Sequence, residues 1–225
     1  MKWKRILLTG AGLLLLFILW TVLIQCVDVQ AVGPQNSKVG FASWNVRIHS
    51  LTGVNMTLYT VTDWLGLVPI FICGCFGIIG LGQWIQRKHL FRVDSDILLL
   101  GVYYLVVISG YLLFEMVPIN YRPILIDGYL EASYPSSTTL LVLSVMPTLK
   151  LQADRRCERK ILRQLATAFT VLFSIFMVIG RLISGVHWAT DIIGSVLLSA
   201  GLFCLYDAAV TYVDWKKRGI RNGIP

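Results

Sequence analysis

Six apolar stretches, each near the length of a membrane-crossing helix, dominate the chain. They fall at about 6–24, 65–84, 97–117, 136–149, 165–183 and 192–210. Crossing the hydrocarbon layer as a helix takes roughly 20 mainly apolar residues. Lipid offers no partner to a backbone N–H or C=O, so such stretches fold as helices that satisfy their own backbone. The first stretch is uncharged, the third holds one acid, Glu115, and the fourth is short and contains Pro147. The expectation is an all-α bundle of six transmembrane helices. Only 14% of residues are charged and the mean hydropathy is +0.71, which excludes a disordered chain, a coiled coil and an ordinary soluble enzyme. Little sequence is left between the spans, so residues 1–225 read as a single integral-membrane domain.

Charge placement orients the spans. Lys and Arg total 20 against 12 Asp and Glu, a net charge of +8. Sixteen of the 20 lie in the N-terminal segment, around Arg87–Arg92, around Lys150–Arg163, and in the tail. Only Lys38, Arg47, Arg122 and Arg181 lie on the other side. Cytoplasmic loops collect Lys and Arg, so both termini are expected in the cytoplasm. The basic excess is thus a signal of topology that also meets anionic lipid, and nucleic acid is not an expected partner. Trp64 and Trp84 bracket the second span, as interface anchors do. The N-terminal Lys2-Trp3-Lys4-Arg5 and the apolar run after it resemble a secretory leader. That run is about 19 residues, longer than the roughly 7–15 of a leader core, so it reads as a retained helix. Residues 27–63 intersperse Trp44, Ile48, Leu51, Met56 and Leu58 with polar residues, which suggests a partly helical outer segment at the interface. The five cysteines are odd in number, sit mostly in apolar runs and lack metal-ligand spacing; neither disulfides nor a metal or cofactor is expected.

Charges kept near lipid are costly and therefore candidates for function. Three polar clusters share the outer side. The first is Asn120-Tyr121-Arg122-Pro123. The second, Tyr134-Pro135-Ser136-Ser137-Thr138-Thr139, reads as a helix start whose free backbone N–H groups suit phosphate. The third is Gly180-Arg181 followed by His187-Trp188-Ala189-Thr190-Asp191, with His187 and Asp191 spaced i, i+4. Each has a plainer reading on its own. The arginines suit headgroup anchors, the hydroxyl run a helix cap, His187 a structural role, and Asp191 a first-turn acid. Their convergence at one membrane depth favours a site.

These residues resemble the type 2 phosphatidic acid phosphatase superfamily of lipid phosphate phosphatases and vanadium haloperoxidases, in its integral-membrane bacterial branch. The family pattern is K-x6-R-P, then P-S-G-H, then S-R-x5-H-x3-D. Arg122-Pro123, Pro135-Ser136, Arg181, His187 and Asp191 fall in register. Glu115 stands in place of the lysine, Ser137 of the glycine, Thr138 of the histidine and Gly180 of the serine. The resemblance implies that His187 attacks phosphorus to form a phosphohistidine. It makes Asp191 the holder of the ring's other proton. Arg122, Ser136, Ser137, Thr138 and Arg181 would then bind the phosphoryl oxygens. The implied activity is removal of phosphate from a lipid phosphomonoester or polyprenyl diphosphate at the outer leaflet of the cell membrane. Thr138 is too weak an acid to protonate a leaving group. His49, Glu115, Asp127 and Glu131 are the outer-side candidates to replace it, and an ion pair between Glu115 and an arginine is a further option. The alternative is an impaired member that binds or transports lipid phosphates.

Overall fold

A computed structural model describes residues 1–221, and among these it is all-α. Eight helices follow in order: α1 Lys2–Cys26, α2 Ala42–Thr52, α3 Met56–Leu65, α4 Leu67–Arg87, α5 Ser95–Met116, α6 Ser137–Arg156, α7 Lys160–Ile183 and α8 Ala189–Arg221. Among the described residues, the only pairing of extended backbone is in isolated bridges such as Tyr121 with Ala132. Leu8, Leu15, Ile18, Phe71, Ile78, Leu105 and Leu172 are all more than half exposed. A soluble domain buries such side chains; here they form the outside of the bundle, the surface that lipid covers.

Among the described residues, five helical runs are long and apolar enough to cross a membrane: Lys2–Cys26, Met56–Arg87, Ser95–Met116, Lys160–Ile183 and Ala189–Ile220. They contain five of the six expected stretches. The fourth stretch behaves differently. Its helix, α6, continues past 149 to Arg156, with Pro147 inside it. It packs against α4, α5, α7 and α8, so protein rather than lipid covers it and polar residues are admitted. Thr139, Ser144, Thr148 and Gln152 are all buried in it. Neighbours also serve its backbone near the proline. The Tyr103 hydroxyl donates to the Ser144 carbonyl at 2.9 Å and the Thr170 hydroxyl to the Met146 carbonyl at 3.1 Å. Polar groups from adjacent helices are what let a buried span tolerate proline.

The outer segment expected between the first two spans is helical at α2 and α3. α3 runs almost straight into α4 through Gly66, whose backbone stays in the right-handed helical region. The long α8 contacts α1, α2, α5, α6 and α7 and forms the axis of the bundle. Its start is held from three sides. Asn45 of α2 donates to the Thr190 hydroxyl at 3.0 Å, Trp20 of α1 donates to the Thr190 carbonyl at 3.1 Å, and Trp188 donates to the Tyr121 carbonyl at 2.8 Å. Tyr134 lies flat on α8 at Gly194, where a Cβ would come within 2.4 Å of its ring. Its hydroxyl bonds that of Thr21 on α1 at 2.7 Å.

The opposite, basic end is closed by ion pairs. Asp96 is buried and lies 3.3 Å from Arg155 and 2.8 Å from Arg156, joining α5 to α6; Arg155 also reaches Asp214 of α8 at 2.7 Å. Asp94, just before α5, pairs with Arg87 at 2.8 Å. The Arg87 hydrogen bond is the main reason that its carboxyl is pulled down to about 2.

Candidate active site

The turn between α7 and α8, residues 184–188, carries His187 and is tightly built. Gly185 has φ +68° and passes so close to the α2–α3 connection that a Cβ would lie 2.0 Å from the Gly53 carbonyl oxygen. Only glycine fits such a crossing. The Asn55 N–H donates to the Ser184 carbonyl at 3.0 Å, and Nε2 of His49 lies 3.0 Å from the Gly185 carbonyl. A carbonyl only accepts, so His49 donates there. His49 therefore braces the turn instead of facing an anion.

His187 is buried. Its Nδ1 lies 3.1 Å from the Ser133 carbonyl and its Nε2 lies 3.2 Å from a terminal nitrogen of Arg181. The carbonyl requires the proton on Nδ1, which leaves the Nε2 lone pair facing the guanidinium. Burial, then the charges of Arg181 and Arg122, hold the imidazole well below the ordinary histidine range, so the ring is neutral. The i, i+4 spacing with Asp191 does not become a shared helical face, because His187 precedes the first turn of α8. Asp191 Oδ2 is 3.8 Å from Nδ1 and accepts instead from the Trp188 backbone N–H at 2.9 Å. That is the reach-back half of a capping box, closing the N-terminus of α8. Asn120 holds the other Asp191 oxygen at 3.4 Å. Expected to hold the ring proton, Asp191 lies 3.8 Å from Nδ1 and shapes the turn, while the Ser133 carbonyl accepts the Nδ1–H hydrogen bond.

Both sequence-predicted arginines converge on this ring through Tyr59 of α3. The Arg181 guanidinium carbon lies 4.9 Å from the Tyr59 ring centre and that of Arg122 5.8 Å. Arg181 is only 1% exposed and Arg122 9%. One terminal nitrogen of Arg122 and the Nε of Arg181 are buried without a hydrogen-bond partner among the described residues. Unpaired buried N–H groups on two like charges are costly, and an anion between them would satisfy both. Each arginine keeps one carboxylate nearby. Glu131 sits 3.1 Å from Arg122, across the Tyr121–Ala132 bridge, and Asp63 of α3 sits 3.7 Å from Arg181. Glu115 is not an arginine partner, since α5 stops at Met116 and the chain turns before Arg122. It is exposed and lines a narrow crevice with Ser133, Ser137 and His187. Asp127 is exposed at a tight turn.

Ser136 caps α6 and is fully buried, but its hydroxyl is directed to Thr139 at 3.1 Å. Its own N–H lies 3.4 Å from the Asp191 carbonyl, and its carbonyl accepts from Ser195 at 2.9 Å. It ties α6 to α8 at the depth of His187. The backbone N–H groups of Ser137, Thr138 and Thr139 are the free donors of this helix start. The Thr138 methyl turns to the α3–α4 joint, 3.5 Å from where a Cβ on Gly66 would stand. Gly180 has a local cause as well: a Cβ there would come within 2.8 Å of the Thr62 methyl carbon. The Thr62 hydroxyl lies 3.5 Å from Arg181.

Tyr59, Thr62, Asp63 and Ser133 were not picked out in the sequence. The first three carry no spacing relation to Arg181, and Ser133 acts through its carbonyl, which every residue has.

The PAP2 superfamily model matches residues 95–217, more than half of the chain, and the chain belongs to that superfamily. Arg122, Ser136, Ser137, Thr138, Arg181, His187 and Asp191 all lie inside the match; Tyr59, Thr62 and Asp63 lie outside it. Among solved structures, the chain is similar to the first transmembrane PAP2 type phosphatidylglycerolphosphate phosphatase from Bacillus subtilis. The identity is 19%, the TM-score 0.64, and the superposition covers 91% of this chain and 96% of that one. The fold is thus that of a transmembrane PAP2 protein, and the chain is a multi-pass membrane protein. Comparison with curated proteins gave no match.

Proposed function

We propose that the protein is a membrane lipid phosphate phosphatase that removes a phosphate from a lipid phosphomonoester or polyprenyl diphosphate through a phosphohistidine. The observation that carries this reading is the neutral, buried His187, whose Nε2 lone pair faces Arg181. A neutral imidazole is a nucleophile without prior proton removal. Its lone pair attacks phosphorus while the P–O bond to the lipid breaks. Arg122 and Arg181 hold the equatorial oxygens with planar forks, and the first N–H groups of α6 add donors. Ser133 keeps the Nδ1 proton in place as the ring becomes cationic, and nearby Asp191 stabilises that charge. Water then releases phosphate and restores the imidazole.

Thr138 offers no acid to the leaving group. A polyprenyl diphosphate suits such a site best, because its leaving group is itself a phosphate and needs no proton. With α6 as the sixth crossing and the basic loops in the cytoplasm, the site opens to the outer leaflet of the cell membrane. The chain then forms one domain with both termini inside.

The test is phosphate release by the detergent-solubilised protein from a polyprenyl diphosphate and a glycerolipid phosphate. Turnover is expected, and near-abolition in His187→Ala. One observation favours the reading as a lipid phosphate binder: Thr138 packs against the α3–α4 joint where the family has an imidazole. A binder would hold lipid phosphate, less tightly in Arg181→Ala, and release nothing.

A further inference from the structure

Arg181 touches two groups with the opposite ends of its fork. One terminal nitrogen meets His187 Nε2 at 3.2 Å and the other meets Asp63 Oδ1 at 3.7 Å. A phosphoryl group bound along that fork has the imidazole at one end and the carboxylate at the other. Phosphoryl transfer runs in line, with the incoming and outgoing atoms on opposite sides of phosphorus. The position opposite Nε2 is where the lipid oxygen departs and where water must then arrive. With phosphate held by that fork, Asp63 would stand on the side away from Nε2. Its side chain is 60% exposed, so water reaches it, and the last turn of α3 holds it, since its carbonyl accepts from the Gly66 N–H at 3.0 Å.

Three other titratable groups near the site are committed elsewhere, and Glu115 lines the crevice beside Ser133 and His187 without pairing with Arg181. His49 donates to Gly185, Glu131 pairs with Arg122, and Asp191 is closed in by Trp188 and Asn120. Asp63 also lies outside the stretch matched by the superfamily model, beside Thr138 at the α3–α4 joint.

We propose that Asp63 is the base that activates water in the second half of the reaction; this rests on the phosphatase reading above. In the first half, the Nε2 lone pair forms the N–P bond and the P–O electron pair leaves with the lipid. In the second half, a water oxygen attacks phosphorus opposite Nε2 and its proton passes to an Asp63 carboxylate oxygen. The N–P electron pair returns to Nε2. Inorganic phosphate leaves and Asp63 gives its proton to solvent.

The experiment is rapid quench with a polyprenyl diphosphate labelled in its terminal phosphate, on the full chain in detergent. In Asp63→Asn, one equivalent of lipid monophosphate is expected in a burst. Labelled phosphohistidine then accumulates, and steady-state kcat falls about 10²–10⁴-fold, the usual worth of a general base. Asp63→Glu keeps the carboxylate and restores most of the second step. If Asp63→Asn lowers KM, leaves kcat unchanged and accumulates no phosphohistidine, Asp63 only neutralises Arg181 and the proposal falls. If the unaltered protein releases no phosphate, the phosphatase reading fails first and takes this inference with it.

Discussion

The imidazole of His187 meets the guanidinium of Arg181 at 3.2 Å, with both side chains buried. A cation held against an imidazole keeps that ring neutral, and in the proposed mechanism the same cation receives the anion that the ring attacks. Replacing Arg181 should therefore damage binding and chemistry together. Arg181→Lys keeps the charge but loses the fork. Its kcat/KM is expected to fall about 10²–10³-fold, the range for loss of one preorganised oxyanion donor. Steady-state kinetics with a diphosphate lipid checks this; a lysine variant with full kcat/KM would show that the fork is not used.

The neutral His187 has a pH signature. Its pKa is depressed by burial, then by Arg181 and Arg122. In the unfolded chain it would titrate near the ordinary value of about 6.5. Below that pH the unfolded state gains a proton that the folded state refuses. His187 thus leaves stability unchanged above about pH 6.5 and costs stability as the pH falls through that value toward the folded pKa. In a 15N-histidine titration, the resonance lost in His187→Gln should stay neutral well below pH 6.5. A midpoint at the ordinary value would contradict the buried, cation-flanked geometry.

The turn that carries His187 depends on glycine. In Gly185→Ala the Cβ would lie 2.0 Å from the Gly53 carbonyl oxygen, at a φ of +68°. Backbone strain of this type alone costs about 1–3 kcal/mol, and the clash adds to it. The expected results are a lower Tm in detergent and a larger loss of turnover than of stability, because the displaced turn moves His187 off Arg181. Gly12, which has nothing within 4 Å of its Cβ position, is the control: Gly12→Ala should leave both unchanged.

What was legible in the sequence follows from what is local. Lipid demands an uninterrupted apolar run, so α1, α4, α5, α7 and α8 could each be read from their own residues. α6 answers to protein neighbours instead, and its end at Arg156 was invisible in hydropathy, because Thr148 and Gln152 are buried against other helices. Arg181, His187 and Asp191 were readable since a helix end, a short turn and a helix start fix their separation. The floor of the site was not. Tyr59 and Asp63 reach Arg181 through packing of α3 on α7, over a hundred positions apart, and no short-range pattern encodes that contact.

The ion pairs at the basic end are remote from the site, and their loss should separate stability from activity. Asp96→Asn removes the buried carboxylate shared by Arg155 and Arg156. Hydrogen bonds to charged groups contribute about 1.5–3 kcal/mol, and the partly exposed arginines place this case at or below the lower end. A Tm lowered by a few degrees in detergent is expected, with kcat at 25 °C unchanged. A fall in kcat without a fall in Tm would mean that this end communicates with His187.

The central claim is that His187 takes up the phosphoryl group. The direct measurement is to quench turnover of a polyprenyl diphosphate labelled in its terminal phosphate, digest the protein and locate the label. The account predicts an acid-labile, base-stable phosphoryl group on the peptide containing His187, formed within the first turnover and absent in His187→Ala. Turnover that leaves no label on His187, or that continues undiminished in His187→Ala, would contradict it.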